Sequence, residues 1–132
     1  FIHNSAARNR ANFNLLGRKP DNRTDVPGYG HRLLNNLGFA GSTEVTQLEA
    51  ATCEVRGNTW QFAEPPVAAD FIGLDEADLT RPRRADGSLP EISFLRLAPG
   101  SRLIDRGVDA GRSHHGAAPD PGAHEFHPAA HD

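Results

Sequence analysis

The single lysine of the 132-residue chain, Lys19, stands between Arg18 and Pro20, with Asp21 and Asp25 close behind it. A lysine near a bound cation can be tuned into a base, and closely spaced carboxylates can begin a calcium loop. The ordered Asp/Asn and Glu spacing of an EF-hand is missing, however. Leu16-Gly17-Arg18-Lys19-Pro20-Asp21 reads instead as a solvated, turn-rich loop. No catalytic residue and no metal ligand is assigned to it.

Other reactive side chains are equally dispersed. His114, His115, His124, His127 and His131 crowd the last part of the chain. A zinc site needs ligands that converge on a rigid frame, and a Gly/Pro-rich tail offers none. Cys53 has no second cysteine to pair with. Nucleophile-elbow, P-loop and dinucleotide patterns do not occur.

Binding chemistry is more plausible at the front of the chain. Residues 1–32 hold Arg8, Arg10, Arg18, Lys19, Arg23 and Arg32 against Asp21 and Asp25, a local charge of +4 within a net charge of −3. Such an excess can face a polyanion or a solvated surface. Arg8, Arg10, Arg23, Tyr29 and Arg32 are the candidate contacts to a polyanion groove. Tyr29 could stack on a sugar ring, whereas Trp60 reads as core or corner packing.

These residues need a frame. Thirteen Gly, ten Pro and a 37% apolar fraction disfavour long helices and a large globular core. No apolar run is long enough to span a membrane. The chain opens on Phe1 with no charged and apolar leader, as a mature protein or an internal fragment would. Partial disorder or a slice of a solenoid remain as readings.

Three segments favour the solenoid. Phe1-Ile2-His3-Asn4, Leu33-Leu34-Asn35-Asn36 and Glu54-Val55-Arg56-Gly57-Asn58 place Asn at positions 4, 36 and 58, spaced 32 and 22 residues apart. A spacing of 22 suits one turn of a parallel β-helix, and 32 is one turn plus a looped-out insertion at 18–31. Asn suits a corner because it tolerates left-handed backbone and carries both donors and acceptors. Asn4, Asn36 and Asn58 are therefore expected to stack as a ladder.

Strands are expected at Phe1–His3, Asn12–Leu16, Arg32–Asn35, Thr43–Val45, Thr52–Arg56 and Thr59–Phe62. Ile2, Phe13, Leu15, Leu34, Val55, Trp60 and Phe62 are the expected inward residues. After Phe62 the pattern breaks at Pro65-Pro66. Val67–Ile72 and the stretch after Asp75 suit short helical turns, and Ile92–Leu97 a strand or packing segment. The expectation is an all-β chain: the C-terminal coils of a right-handed parallel β-helix in residues 1–62, then an irregular cap with short helical turns in 63–126. That cap would lie over the last coil or along the flank, and 127–132 would be a flexible tail.

The order of segments resembles the C-terminal part of the pectate lyase L-like family. The resemblance runs from about Asn4 to Phe126. Its most specific parts are Asp70-Phe71-Ile72-Gly73-Leu74-Asp75, Arg84-Ala85-Asp86-Gly87-Ser88-Leu89-Pro90 and Phe94-Leu95-Arg96-Leu97-Ala98. They continue with Ser101-Arg102-Leu103-Ile104-Asp105-Arg106-Gly107 and Ala118-Pro119-Asp120-Pro121-Gly122-Ala123-His124-Glu125-Phe126. Pro121 stands where an aliphatic residue is usual and His124 where an aromatic one is.

The resemblance implies a secreted right-handed β-helix polysaccharide lyase. Such enzymes cleave polygalacturonate by β-elimination, with calcium on the uronate and a lysine base. It also implies that the calcium ligands and the base, in a Gly-Phe-Lys-Leu-Gly-Gly-like stretch, lie on upstream coils of the same chain. The residues here would then be scaffold and cap, with no cofactor of their own and no lyase activity in isolation. Calcium and an acidic polysaccharide belong to the full-length protein, and neither nucleic acid nor membrane is an expected partner. The alternative is a non-catalytic β-helix module that binds carbohydrate or sits on the cell surface.

Overall fold

The structure is a computed structural model and describes residues 1–128. Within them lie eight short strands: β1 Ser5–Ala7, β2 Ala11–Asn14, β3 Gly17–Arg18, β4 Asp25–Val26, β5 Arg32–Leu34, β6 Leu37–Phe39, β7 Thr43–Thr46 and β8 Glu54–Arg56. Three parallel pairings organise them. Sheet A joins β5 to β8, with Ile2 bridging to Leu34; sheet B joins β1 to β6; sheet C joins β2 to β7. Ser5 pairs with Leu37 and Ala11 with Thr43, while Arg32 pairs with Glu54. Each element thus lies on its counterpart one coil away, at the 32- and 22-residue spacings read from the asparagines. Sheets met in the order A, B, C along the first two coils, with β8 adding a third strand position to sheet A, make a parallel β-helix.

Corners between sheets need backbone that turns sharply. His3, Asn35 and Gly57 have φ of 55°, 56° and 69° between sheets A and B. Arg8 and Ala40 repeat this, at 58° and 54°, between sheets B and C. The left-handed residue therefore comes one position before each ladder asparagine. Asn58 itself is extended, with φ −84°. This corrects the expectation that the ladder residue takes the bend.

Phe13, Leu15 and Leu33 form the buried interior of the coils, with Ala6, Val45, Leu48, Val55 and Trp60 packed against them. Each fully buried side chain of this size contributes roughly 1.5–3 kcal/mol. Thr59–Gln61, expected as strand, is a 3₁₀ turn. It sets the Trp60 ring 5.2 Å from that of Phe13, filling the interior where coil three has no sheet C strand among the described residues. Thr59 Oγ1 accepts from Gly38 N at 2.9 Å and donates to Gly38 O at 3.2 Å, finishing the edge of β6 with a side chain. At Phe1–His3 only Ile2 takes part in a bridge, and Ser5–Ala7 carries the pairing instead. The insertion after β2 contains a small antiparallel hairpin, β3 with β4.

Residues from Phe62 to Phe126 lie along the flank, against the outward face of sheet B. Leu37, buried on that face, packs with Phe71, Phe94, Leu95, Leu97 and Leu103. Phe62, expected to point inward, belongs to this outer cluster. Phe39 meets Phe71 edge-on at 5.1 Å. Chain with so little regular structure needs side chains to satisfy its backbone. Buried Asp70 accepts from Val67 N, Ser101 Oγ and Arg102 N. Buried Asp120 accepts from Asp105 N at 2.7 Å and Phe126 N at 2.6 Å. Gly122, at φ 95°, passes so close to β1 and β6 that a Cβ would meet Ser5 Oγ at 2.7 Å and Leu37 Cβ at 3.0 Å. Pro121 beside it is fully buried. Of the expected tail, residues 129–132 lie outside the described residues.

Candidate functional site

The corner between sheets A and B carries a continuous amide chain. Asn36 Oδ1 accepts from Asn4 N at 3.0 Å and Asn4 Nδ2 at 3.1 Å. Asn58 Oδ1 accepts from Asn36 N and Asn36 Nδ2, both at 2.9 Å. The second amide hydrogens go to main-chain carbonyls, Asn36 to Phe1 O and Asn58 to Leu33 O. Gln61 extends the series: its Oε1 accepts from Asn58 N at 3.2 Å and Nδ2 at 2.9 Å. Asn36 and Asn58 are fully buried, whereas Asn4 is exposed at the other end. These amides hold the frame and leave no group free for chemistry in its interior.

A second polar corner has no counterpart in the sequence reading. Asn12 Nδ2 donates to Glu44 Oε2 at 2.7 Å and Phe39 O at 3.3 Å, and Asn12 Oδ1 accepts from Asn9 N. Glu44 Oε1 accepts from Gly41 N at 2.9 Å. The signal was the same 32-residue offset, carried by two different residue types.

Sheet C presents the face best suited to a polar ligand. A cavity of about 530 Å³ opens on it, lined by Asn9, Arg10, Ala11, Asn14, Thr43, Thr46 and Gln47. Amides, hydroxyls and a guanidinium are the groups that bind sugar hydroxyls and carboxylates. The outer face of sheet B is largely covered by the flank segment, which leaves a cavity of about 570 Å³ beside β1.

The five candidate groove residues do not converge. Arg10 lines the sheet C cavity and has no side-chain partner among the described residues. Arg8 turns to the flank, donating to Leu74 O at 2.9 Å and pairing with Glu76 at 3.1 Å. Arg32 lies on sheet A and pairs with Glu54 at 3.3 Å. Arg56 and Arg32 together hold the Glu54 carboxyl below the usual carboxylate range. Arg23 is exposed at the tip of the β3–β4 hairpin, and Tyr29, 65% exposed, follows β4. Two of the five guanidinium and phenol groups are thus neutralised locally.

Lys19 stands in the hairpin turn, its main chain bonded to Thr24 and Asn22. Asp21 caps that turn through Thr24 and Arg23, and the bond from the Thr24 hydroxyl lowers its pKa most. Among the described residues no group of three or more His, Cys, Asp and Glu could hold a metal ion. Cys53 is half-buried, with its sulfur accepting from His31 N at 3.4 Å. His115 and His127 set their rings 5.1 Å apart. No helix among the described residues is long and apolar enough to cross a membrane.

No family model matches the chain. Pectate lyase L of Dickeya dadantii (strain 3937) is 36% identical over 99 residues, which is 74% of this chain and 22% of that protein. The solved pectate lyase Pel9A superposes with a TM-score of 0.75 at 30% identity, over 96% of this chain and 29% of that one. A solved rhamnogalacturonan lyase gives 0.66 at 32% identity, over 77% and 26%. The chain therefore spans between a fifth and a third of the relatives it matches. With its stacked parallel coils and its amide-lined corner, this chain is similar in sequence to pectate lyase L and in sequence and fold to the solved pectate lyase Pel9A and rhamnogalacturonan lyase.

Proposed function

We propose that this chain is the C-terminal scaffold of a secreted, calcium-dependent lyase of acidic polysaccharide. In this reading the calcium ligands and the base lie on coils upstream of Phe1. The observation that carries it is the match to pectate lyase L and Pel9A over most of this chain but under a third of theirs. The placement of Lys19 in an exposed hairpin turn supports assigning the base elsewhere. A right-handed winding is supported by the strong preference of parallel crossover connections for that hand.

In the same reading, the sheet C face continues the path of the polysaccharide past the reacting residues. Arg10 offers a charge to a uronate, and Asn14, Thr43 and Thr46 offer hydrogen bonds to hydroxyls. The test uses the longer protein that contains this chain. Polygalacturonate should yield unsaturated product absorbance that a chelator abolishes and calcium restores. Arg10→Ala should raise KM about 3–10-fold with kcat unchanged, the loss of roughly one exposed charged hydrogen bond. Arg8→Ala, which removes the Glu76 pair, should leave KM as it was. A protein with no calcium-dependent product would overturn the lyase reading and favour a non-catalytic carbohydrate-binding or cell-surface module.

A further inference from the structure

Positive charge on the flank segment is mostly accounted for. Arg102 pairs with Glu64 and Asp70, and Arg106 lies over the Phe62 ring, 5.0 Å from its centroid. Arg83, Arg84 and Arg112 are exposed to water. Arg96 differs from all of these. It is half-buried, yet it pairs with no carboxylate among the described residues. A guanidinium withdrawn from water without a counter-charge is costly.

The residue is also held in place. Arg96 O accepts from Ile72 N at 2.8 Å, Arg96 N donates to Ser93 O at 3.0 Å, and Leu95 before it closes the turn at φ 59°. Its Nε donates to Ile92 O at 2.6 Å. Both Nη groups, the fork that matches a carboxylate, are left without a partner among the described residues.

Arg96 borders a cavity of about 300 Å³ on the flank, lined also by Ile72, Asp78, Arg81, Glu91 and Ser93. A volume at the low end for ligand sites suits one sugar residue. Arg81 brings a second guanidinium, steadied by Asp78 Oδ1 at 3.2 Å and Glu91 O at 2.7 Å. Asp78 is committed elsewhere, since its Oδ2 accepts from Ser93 N at 2.7 Å. The Glu91 carboxylate has no partner among the described residues, and Ile72 is 43% exposed. Across Ile92 stands His124, whose pKa is lowered first by burial and then by the Arg96 charge. The second effect is what an unneutralised guanidinium does to a neighbouring base.

We infer that this cavity binds one uronate residue of an acidic polysaccharide, with its carboxylate on Arg96 and Arg81, at a site separate from the sheet C face. Glu91 accepts from the sugar hydroxyls, and Ile72 covers one face of the ring. A phosphate or sulfate dianion fits less well, because Asp78 and Glu91 repel its second charge. The inference rests on the reading of the protein as one that acts on acidic polysaccharide.

The test follows the His124 ring by NMR in the 132-residue chain, kept dilute enough to be monomeric. Trigalacturonate should bind with a Kd of roughly 1 mM and raise the His124 pKa toward its ordinary value, because its carboxylate cancels the Arg96 charge. The fully methyl-esterified trisaccharide should bind at least about tenfold more weakly and leave that pKa low. Arg96→Gln should raise the pKa without ligand and remove the further rise. Arg96→Lys keeps the charge and loses the fork, so the pKa should stay low while trigalacturonate binds about tenfold more weakly. Arg81→Gln should weaken it about threefold, and Arg10→Ala should leave the His124 response unchanged. A His124 titration indifferent to trigalacturonate, or equal binding of the ester, would overturn the inference. So would a response lost in Arg10→Ala and kept in Arg96→Gln. A longer protein without calcium-dependent product sinks the lyase reading and leaves this binding as measured; an active lyase whose His124 ignores trigalacturonate loses this site alone.

Discussion

A buried asparagine at a coil corner is worth what its partners lose when it goes. Removing the Asn36 side chain strands the Asn4 N–H and amide, breaks the acceptance at Asn58, and frees Phe1 O. Asn36→Ala should therefore cost about 1–3 kcal/mol, and Gln61→Ala somewhat less because its site is exposed to water. Thermal melts of both variants check the order; equal, negligible shifts would mean the amides contribute nothing beyond water. His124 gives a second residue-level test. Burial, and then the charge of Arg96, push its pKa below the ordinary value of about 6.5. The unfolded chain then takes up the proton first as pH falls. Stability contributed by neutral His124 is complete above about 6.5 and is lost as pH drops through the lowered folded value. His124→Gln should flatten the fall in stability that begins as pH drops below about 6.5, read by denaturant melts at each pH.

At the scale of elements, the spacing of like residues was visible in the chain and the spacing of unlike ones was not. Asn4, Asn36 and Asn58 announce their register because one residue type meets one demand at every coil. Asn12 and Glu44 meet a similar demand with different side chains, so their offset of 32 passes unnoticed. Thr59–Gln61 has strand-forming residues, yet Thr59 and Gln61 spend their side chains finishing a sheet edge and the ladder, which a turn allows and a strand does not. The flank segment shows its apolar residues plainly, but irregular chain has no period to say which face they seek. Its position depends on Asn35, whose amide pairs with the main chain of Val108 at 2.6 and 2.7 Å as a neighbouring strand would, and whose carbonyl accepts from Gly122 N. Asn35→Gly keeps the left-handed backbone and loses that pairing, for about 2 kcal/mol. Asn35→Ala should cost about 1–2 kcal/mol more, since alanine resists φ near 56°. Both should raise proteolysis around 107–122, and an Ala variant as stable as the Gly variant would remove the backbone part of the account.

For the whole molecule, the two ends of the coil stack differ in how they meet water. At the β8 end the outward residues Glu54 and Arg56 form an ion pair, Arg32 joins it, and the chain then leaves through a 3₁₀ turn. Charges on a short edge discourage pairing with another chain. At the coil-one end β1 and β2 offer unpaired backbone, Phe1 is 53% exposed, and the cavity beside Leu79 stays unfilled. A net charge of −3 supplies little repulsion to keep two such ends apart. The chain on its own should therefore self-associate through coil-one ends, meeting face to face, since the far end is closed to stacking. Sedimentation velocity over a range of concentrations should show a reversible shift above monomer. A charged substitution at the open end, Leu79→Lys or Ala7→Lys, should suppress it, while Arg56→Ala at the closed end should leave it unchanged. A chain that stays monomeric at every concentration and melts cooperatively would show that the flank segment alone shields the open edge.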